Sequence, residues 1–288
     1  MTFMESQNRR LNFFLNQNQI CMKQKMKFLA LSLAVFFISV AAIAQNPFGE
    51  VNFVKVKPGM NESYLIDMKT TKKINNGLKA NKAISSWQLY RRVYPRGSEM
   101  DFDYVTFQVY PSAKEMEARK DWITLNPIMK EMSAKETIDY LSSLGNVRTV
   151  VQTELYDYKM GVGAAAKPGD FVQLNLINAN PGSNDAVEKM WESLKPVIEE
   201  CIKAGKIKGY NVWKRTYVTN MGYKNDYTVS FSFSSLEQAL AWASGKTGMA
   251  EEFKKVYPKE DFAAFGPKLN TLRVVIAQEL WELVDVTD

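Results

Sequence analysis

The residues best equipped for chemistry come in two matching lines. WQLYRRVY spans residues 87–94 and YNVWKRTY spans 210–217, so Tyr90, Arg92 and Tyr94 recur as Trp213, Arg215 and Tyr217, 123 residues later. A second pair, RTVVQTELY at 148–156 and RVVIAQELW at 273–281, repeats Glu154 as Glu279 at an offset of 125. Arginine beside aromatic rings suits an anionic or hydroxylated, partly aromatic molecule, because the guanidinium supplies charge and planar donors while the rings stack. Glutamate on the same face would neutralise a buried arginine, which is costly to leave unpaired. Tyr90, Arg92, Tyr94, Trp213, Arg215, Tyr217, Glu154 and Glu279 are therefore the candidate ligand-binding set.

Composition narrows the chemistry further. The chain has no histidine, and its two cysteines are Cys21 and Cys201. The usual general base, imidazole metal ligands and Cys/His pairs are thus missing, and no spacing marks a nucleophile or an acid/base pair. No catalytic residue, metal-ligand set or cofactor is assigned. Asp103-Tyr104 and Asp226-Tyr227 recur beside turns, where aspartate more often caps backbone than acts as a base. Cys201 falls on the apolar stripe of an expected helix, which predicts a buried, inert thiol.

The N-terminal region reads as a leader. Lys23, Lys25 and Lys27 precede an apolar run from Phe28 to Ile43 that ends in Ala42-Ile43-Ala44, the pattern of a secretory signal peptide cleaved before Gln45. Met22 or Met26 is the better start, and Cys21 lies upstream of the apolar run, where it is not placed to carry a lipid. The expected location is periplasmic or extracellular, with no stable membrane anchor after cleavage. Without Arg9, Arg10, Lys23, Lys25, Lys27 and Glu5, the whole-chain charge of +6 falls to +2, from 32 basic and 30 acidic residues. With the signs interspersed, no nucleic-acid partner is expected.

The elements that would position these residues occur twice. Pro58-Gly59 aligns with Pro181-Gly182, and the offset stays at 123 through Asp103-Tyr104 and Asp226-Tyr227; Trp122 and Trp242 sit in the middle of each half. Each half reads strand (51–57; 171–177), helix opened by NES at 61–63 or SND at 183–185, two strands (86–94 and 103–110; 210–218 and 226–233), helical material, and a final strand (147–157; 271–284). The helical material breaks at Asn126-Pro127 in the first half. Val187, Met190, Trp191, Leu194, Val197, Ile198 and Cys201 make a stripe of helical period, with a kink expected at Pro196. The expected division is leader and signal peptide 1–44, first repeat 45–160, linker 161–169 and second repeat 170–288.

The order β-α-β-β-α-β is that of the ferredoxin-like split unit. Two tandem units resemble the dimeric α+β barrel superfamily in its fused form, which includes antibiotic-biosynthesis-monooxygenase-like and NIPSNAP-like proteins. The resemblance implies an α+β fold in which two ferredoxin-like βαββαβ units form a pseudo-two-fold α+β barrel. Some resembling barrels oxidise flat aromatic substrates without a metal or cofactor; haem-using relatives with a histidine ligand are excluded by composition.

Strand alternation assigns the faces. Gln88, Tyr90, Arg92 and Tyr94, with Asn211, Trp213, Arg215 and Tyr217, are expected inside the barrel, together with Glu154, Tyr156, Glu279 and Trp281. Val54 and Val56, and likewise Val172, Leu174 and Leu176, are expected under the helices. Val105, Phe107 and Val109 against Val229, Phe231 and Phe233 fall on opposite parities, which suggests a one-residue slip or bulge in the second hairpin. The leading expectation for function is an exported, non-catalytic protein that binds a small organic molecule or serves a structural role. The alternatives are a cofactor-independent oxygenase-like enzyme acting on an aromatic substrate, and a protein interaction module.

Overall fold

A computed structural model describes residues 46–97, 101–118, 132–218 and 225–288. The segment expected to be leader and signal peptide, Trp122 and the expected break at Asn126-Pro127 lie outside the described residues. The first half contains β1 (Phe48–Val56), α1 (Asn61–Ala80), β2 (Ser86–Tyr94), β3 (Tyr104–Tyr110), α2 (Ala113–Ala118), α3 (Ala134–Val147) and β4 (Arg148–Gly163). The second contains β5 (Phe171–Ala179), α4 (Asn184–Lys203), β6 (Gly209–Val218), β7 (Tyr227–Phe233), α5 (Leu236–Ala243), α6 (Ala250–Val256), α7 (Phe262–Leu272) and β8 (Arg273–Val286). β4 extends into the stretch read as a linker.

The eight strands close into one antiparallel barrel in the order β1-β3-β2-β8-β5-β7-β6-β4. Two seams, β2 with β8 and β4 with β6, join the halves. Closure removes free sheet edges and creates an inner face distinct from the helix-covered outer face.

Outer packing follows from the helical stripes. All seven apolar residues from Val187 to Cys201 are buried on α4, which runs through Pro196 as one helix. All of them but Val197 join one core cluster with Tyr227, Val229, Phe231 and Phe233, while α1 sets Tyr64, Met68 and Leu78 against Val54, Trp87, Leu89 and Tyr104. Burial of such aliphatic and aromatic surface contributes about 25 cal/mol per Å².

The starts of α1 and α4 match the expected positions, but neither has a side-chain cap. Instead Asn61 accepts a hydrogen bond from the Tyr104 hydroxyl (2.8 Å) and Asn184 one from Tyr227 (3.0 Å), tying each helix start to the sheet beneath it. Asp103 and Asp226 are also structural. Their carboxylates accept from the backbone N–H of Val56 (3.0 Å) and Ala179 (2.9 Å), clamping the end of each half's first strand.

Register corrects two expectations. No shift interrupts β3 or β7 in any of their pairings, so there is no slip in the second hairpin. Phe107 and Val109 line the interior in one half, whereas Thr228, Ser230 and Ser232 occupy the interior of β7. The faces exchanged composition while the register stayed fixed. For the same reason Val172, Leu174 and Leu176 face the barrel interior rather than the helices. An offset of 123 is odd, so equivalent residues have opposite parity, and Leu174 and Leu176 correspond to Val51 and Phe53.

The real irregularities lie elsewhere and occur in pairs. Bulges fall at Val93 and Thr216, at Val151 and Ile276, and at Lys159 and Val284, in the ladders β2–β8, β4–β6, β1–β4 and β5–β8. An inserted residue reverses the side-chain alternation beyond it.

Candidate functional site

The barrel encloses a cavity of about 430 Å³. Its wall is built by alternation along every strand: Val51 and Phe53 from β1, Gln88 and Tyr90 from β2, Glu154, Tyr156 and Tyr158 from β4, and Glu279 and Trp281 from β8. Asn211 and Trp213 come from β6, and β7 adds Thr228, Ser230 and Ser232 beside Asn225. The volume falls within the range of small-molecule sites, about 300–1,000 Å³.

Aromatic rings give much of the wall its shape. Trp213 meets Phe107 (5.1 Å between centroids) and Tyr158 (4.9 Å) edge-on, and Trp281 meets Phe53 (6.3 Å) edge-on and Tyr90 (5.8 Å) at a tilt. Gly49 makes the first contact fit, since a Cβ there would lie 2.3 Å from the Phe107 ring and 3.2 Å from Trp213. The opposite character comes from β7, whose hydroxyls give the cavity one polar wall.

Of the eight candidate residues, Tyr90, Trp213, Glu154 and Glu279 line this cavity. Arg92 and Arg215 are not part of its lining; each stands behind a glutamate from the other half. Arg92 Nη2 donates to Glu279 Oε1 at 2.5 Å, and Arg215 Nη1 donates to Glu154 Oε1 at 3.2 Å. Tyr94 and Tyr217 are exposed, at 50% and 71%, and do not face the interior. The bulges at Val93 and Thr216 precede them directly, so alternation fails at that point; nothing in their sequence announces the extra residue. The arginines are therefore paired and the interior is nevertheless open, two conditions that the sequence treats as alternatives.

The two carboxylates differ. Glu154 accepts from Gln152 Nε2 (2.6 Å), Arg215 and the Tyr156 hydroxyl. Glu279 accepts from Arg92 and from Trp281 Nε1 (2.7 Å). Burial holds the Glu279 carboxyl above its ordinary range, opposed by Arg92 and by the Trp281 hydrogen bond. Burial also raises the Tyr156 phenol, with the Glu154 charge adding to it, and raises the phenol of Tyr158. Thr228 donates to the Tyr156 oxygen at 3.4 Å, and Asn225 bridges to Thr228 (3.1 Å), so β7 completes a polar cluster around that phenol.

Sequence reasoning passed over Tyr158, Phe107 and the β7 hydroxyls as cavity residues. The uninterrupted offset was the signal that could have found them, because it fixes Ser230 and Ser232 opposite Phe107 and Val109. Cys201 is fully buried, and burial pushes its thiol up to about 11. Among the described residues no group of carboxylates and cysteine has metal-binding geometry. β8 also opens with three consecutive exposed aliphatic residues, Val274, Val275 and Ile276.

No protein-family model and no curated protein matches the chain. Solved structures do share its fold. An anthrone oxidase-like protein is 12% identical, with a TM-score of 0.53 over 85% of this chain and 94% of its own. A protein of Fusobacterium nucleatum described as a "putative monooxygenase" is 11% identical, with a TM-score of 0.52 over 85% and 96%. One of Lactobacillus acidophilus with the same description is 8% identical, with a TM-score of 0.50 over 84% and 96%. The chain shares the α+β barrel fold of these structures. They overturn the leading expectation of a non-catalytic protein: the barrels that share this fold are described by oxidative activities, and the interior here is not filled by its own salt bridges.

Proposed function

We propose that the barrel is a cofactor-independent oxygenase-like enzyme acting on a flat aromatic substrate inside the cavity. The observation that carries this reading is the open interior itself, about 430 Å³, walled by aromatic rings and lined by two buried carboxylates. The oxidative descriptions of the structures sharing the fold support it.

The chemistry suited to such a site starts from a carbon acid. For an activated methylene carbon between two arenes, proton removal gives a resonance-stabilised carbanion that passes one electron to dioxygen. Recombination of the two radicals and reprotonation give a hydroperoxide on that carbon. Loss of its second C–H proton then forms the carbonyl, breaks the O–O bond and expels hydroxide, which takes up the proton. Overall, one methylene and one dioxygen become one ketone and one water. Glu279 is our choice of proton acceptor, because it carries fewer donors than Glu154 and burial raises its basicity. Trp213, Phe107, Phe53 and Trp281 would hold the rings, while the Ser230 and Ser232 hydroxyls of β7, which line the cavity, would donate to a substrate oxygen as charge develops on it.

The test of occupancy is an anaerobic titration with anthrone, read by quenching of Trp213 and Trp281 fluorescence. Saturable quenching that Ser230→Trp abolishes by filling the cavity is the expected result. Quenching that is linear, or unchanged in that variant, would reject the site.

We further propose that the chain arose by tandem duplication, with repeats at 45–160 and 170–288; the paired bulges at matching offsets support this. Export after cleavage before Gln45 is likewise proposed, on the strength of the lysines and apolar run. Mass analysis of the secreted protein tests it: an N-terminus elsewhere, or retention of residues 28–43, contradicts it.

A further inference from the structure

A second cavity, of about 420 Å³, lies at one rim of the barrel, where β2 ends and α1 begins. Its lining includes Lys57, Asn61, Arg91, Arg92, Arg96 and Asp103. Four cations thus face one carboxylate. That carboxylate is already engaged, by Lys55 Nζ (3.3 Å) and the Val56 N–H (3.0 Å). Arg91 is paired with Glu282 and Arg92 with Glu279. Lys57 and Arg96 form no ion pair among the described residues; they donate only to the backbone carbonyls of Gly145 (3.0 Å) and Val93 (2.8 Å).

Arg92 supplies the independent observation. Its side chain is 3% exposed, with Phe102 packed 3.8 Å from the guanidinium carbon. One nitrogen reaches Glu279, yet Nε and Nη1 are buried without any hydrogen-bond partner among the described residues. Guanidinium cannot shed its proton to escape that cost, and buried donors are almost always satisfied in native proteins. The first turn of α1 opens at the same place with no side-chain cap, so its N–H groups add positive potential. This combination of lining residues belongs to the first half alone. The matching positions 123 residues on hold Asn180, Thr219 and Asn225 in place of Lys57, Arg96 and Phe102.

We propose that this rim cavity is an oxyanion site, binding a carboxylate or phosphate group through Lys57, Arg96 and the unpartnered donors of Arg92. It is separate from the aromatic interior, and Arg92 links the two, since its remaining nitrogen holds Glu279 at the cavity wall. An anion in the rim competes with Glu279 for the same guanidinium, so rim occupancy bears on the interior carboxylate.

The experiment is thermal unfolding of the protein titrated with inorganic phosphate or with acetate, at constant ionic strength set by chloride. Lys57 and Arg96 are exposed, so Lys57→Ala and Arg96→Ala keep the fold; Lys195→Ala, on the exposed face of α4, controls for lost charge alone. The expected result is a saturable rise in melting temperature in wild type and Lys195→Ala, with the midpoint shifted tenfold or more to higher concentration in the other two. The anion that saturates lower identifies the group as phosphate or carboxylate. A response to neither, or an equal response in all four proteins, overturns the proposal. The readout is independent of oxidation, so its failure leaves the enzymatic reading to its own test.

Discussion

The buried Arg92–Glu279 pair offers the sharpest energetic test, because its two partners are not equivalent. Replacing Glu279 by leucine leaves a permanently charged guanidinium at 3% side-chain exposure with no acid beside it. Breaking a buried pair this way costs about 3–5 kcal/mol, a melting temperature lower by roughly 6–20 °C for a chain of this size. Replacing Arg92 by methionine removes two donors that already lack partners, and Glu279, whose carboxyl burial holds above its usual range, can take up a proton. That change should cost about 1–3 kcal/mol, the penalty for one unsatisfied polar group. Arg215→Met should cost no more, since Glu154 keeps Gln152 and Tyr156 as donors. Combining Arg92→Met with Glu279→Leu should recover most of the loss, because apolar groups of similar volume replace a buried ion pair at little cost. Urea unfolding at pH 7 in phosphate-free buffer measures all four. Arg92→Met as damaging as Glu279→Leu, or a double variant equal to the sum of the two, would refute this assignment of the energetics.

Other consequences follow from the same geometry. Gly49→Ala places a Cβ 2.3 Å from Phe107 and must drive that ring into the interior, so anthrone quenching should weaken several-fold; unchanged affinity would mean the Phe107–Trp213 contact does not shape the cavity. Glu279 faces Arg92, Trp281 and, at longer range, Glu154, and its folded pKa is raised; its contribution to stability is therefore full below the ordinary carboxylate range and lost as pH rises through the raised value. The stability deficit of Glu279→Gln should accordingly shrink with rising pH, by about 1.4 kcal/mol per unit of elevation. A deficit that grows across that window would contradict the burial. Cys201, fully buried with its thiol pushed up to about 11, should resist an aromatic disulfide reagent at pH 8 until the protein unfolds, whereas prompt labelling would show that α4 opens locally.

Much of the architecture was legible because it rests on periodicity. The α4 stripe, the order of elements and the neutralising of the two arginines by Glu154 and Glu279 follow from spacing, and the structure contains each of them; that each pair crosses between the halves is set by the barrel seams. The faces of β5 and β7 were misread for a physical reason. Aliphatic residues suit either the helix-covered face or the wall of a ligand cavity, so hydrophobicity alone could not place Val172, Leu174 and Leu176. Register could have, and it was set aside on β3 and β7 for a slip that does not exist. Tyr94 and Tyr217 were illegible in another sense, because a single bulged residue reverses everything beyond it and valine or threonine at the bulge looks like ordinary strand. The openness of the interior also lay beyond sequence, since it depends on how eight strands divide their volume around Gly49, Phe107 and Trp213.

The most direct measurement is oxygen uptake by the protein, dialysed against chelator, with anthrone as substrate. The account predicts protein-dependent consumption of one dioxygen per anthrone oxidised, falling at least a hundredfold in Glu279→Gln and persisting in Lys195→Ala. Uptake no faster than in protein-free buffer, or equal rates in wild type and Glu279→Gln, would contradict it.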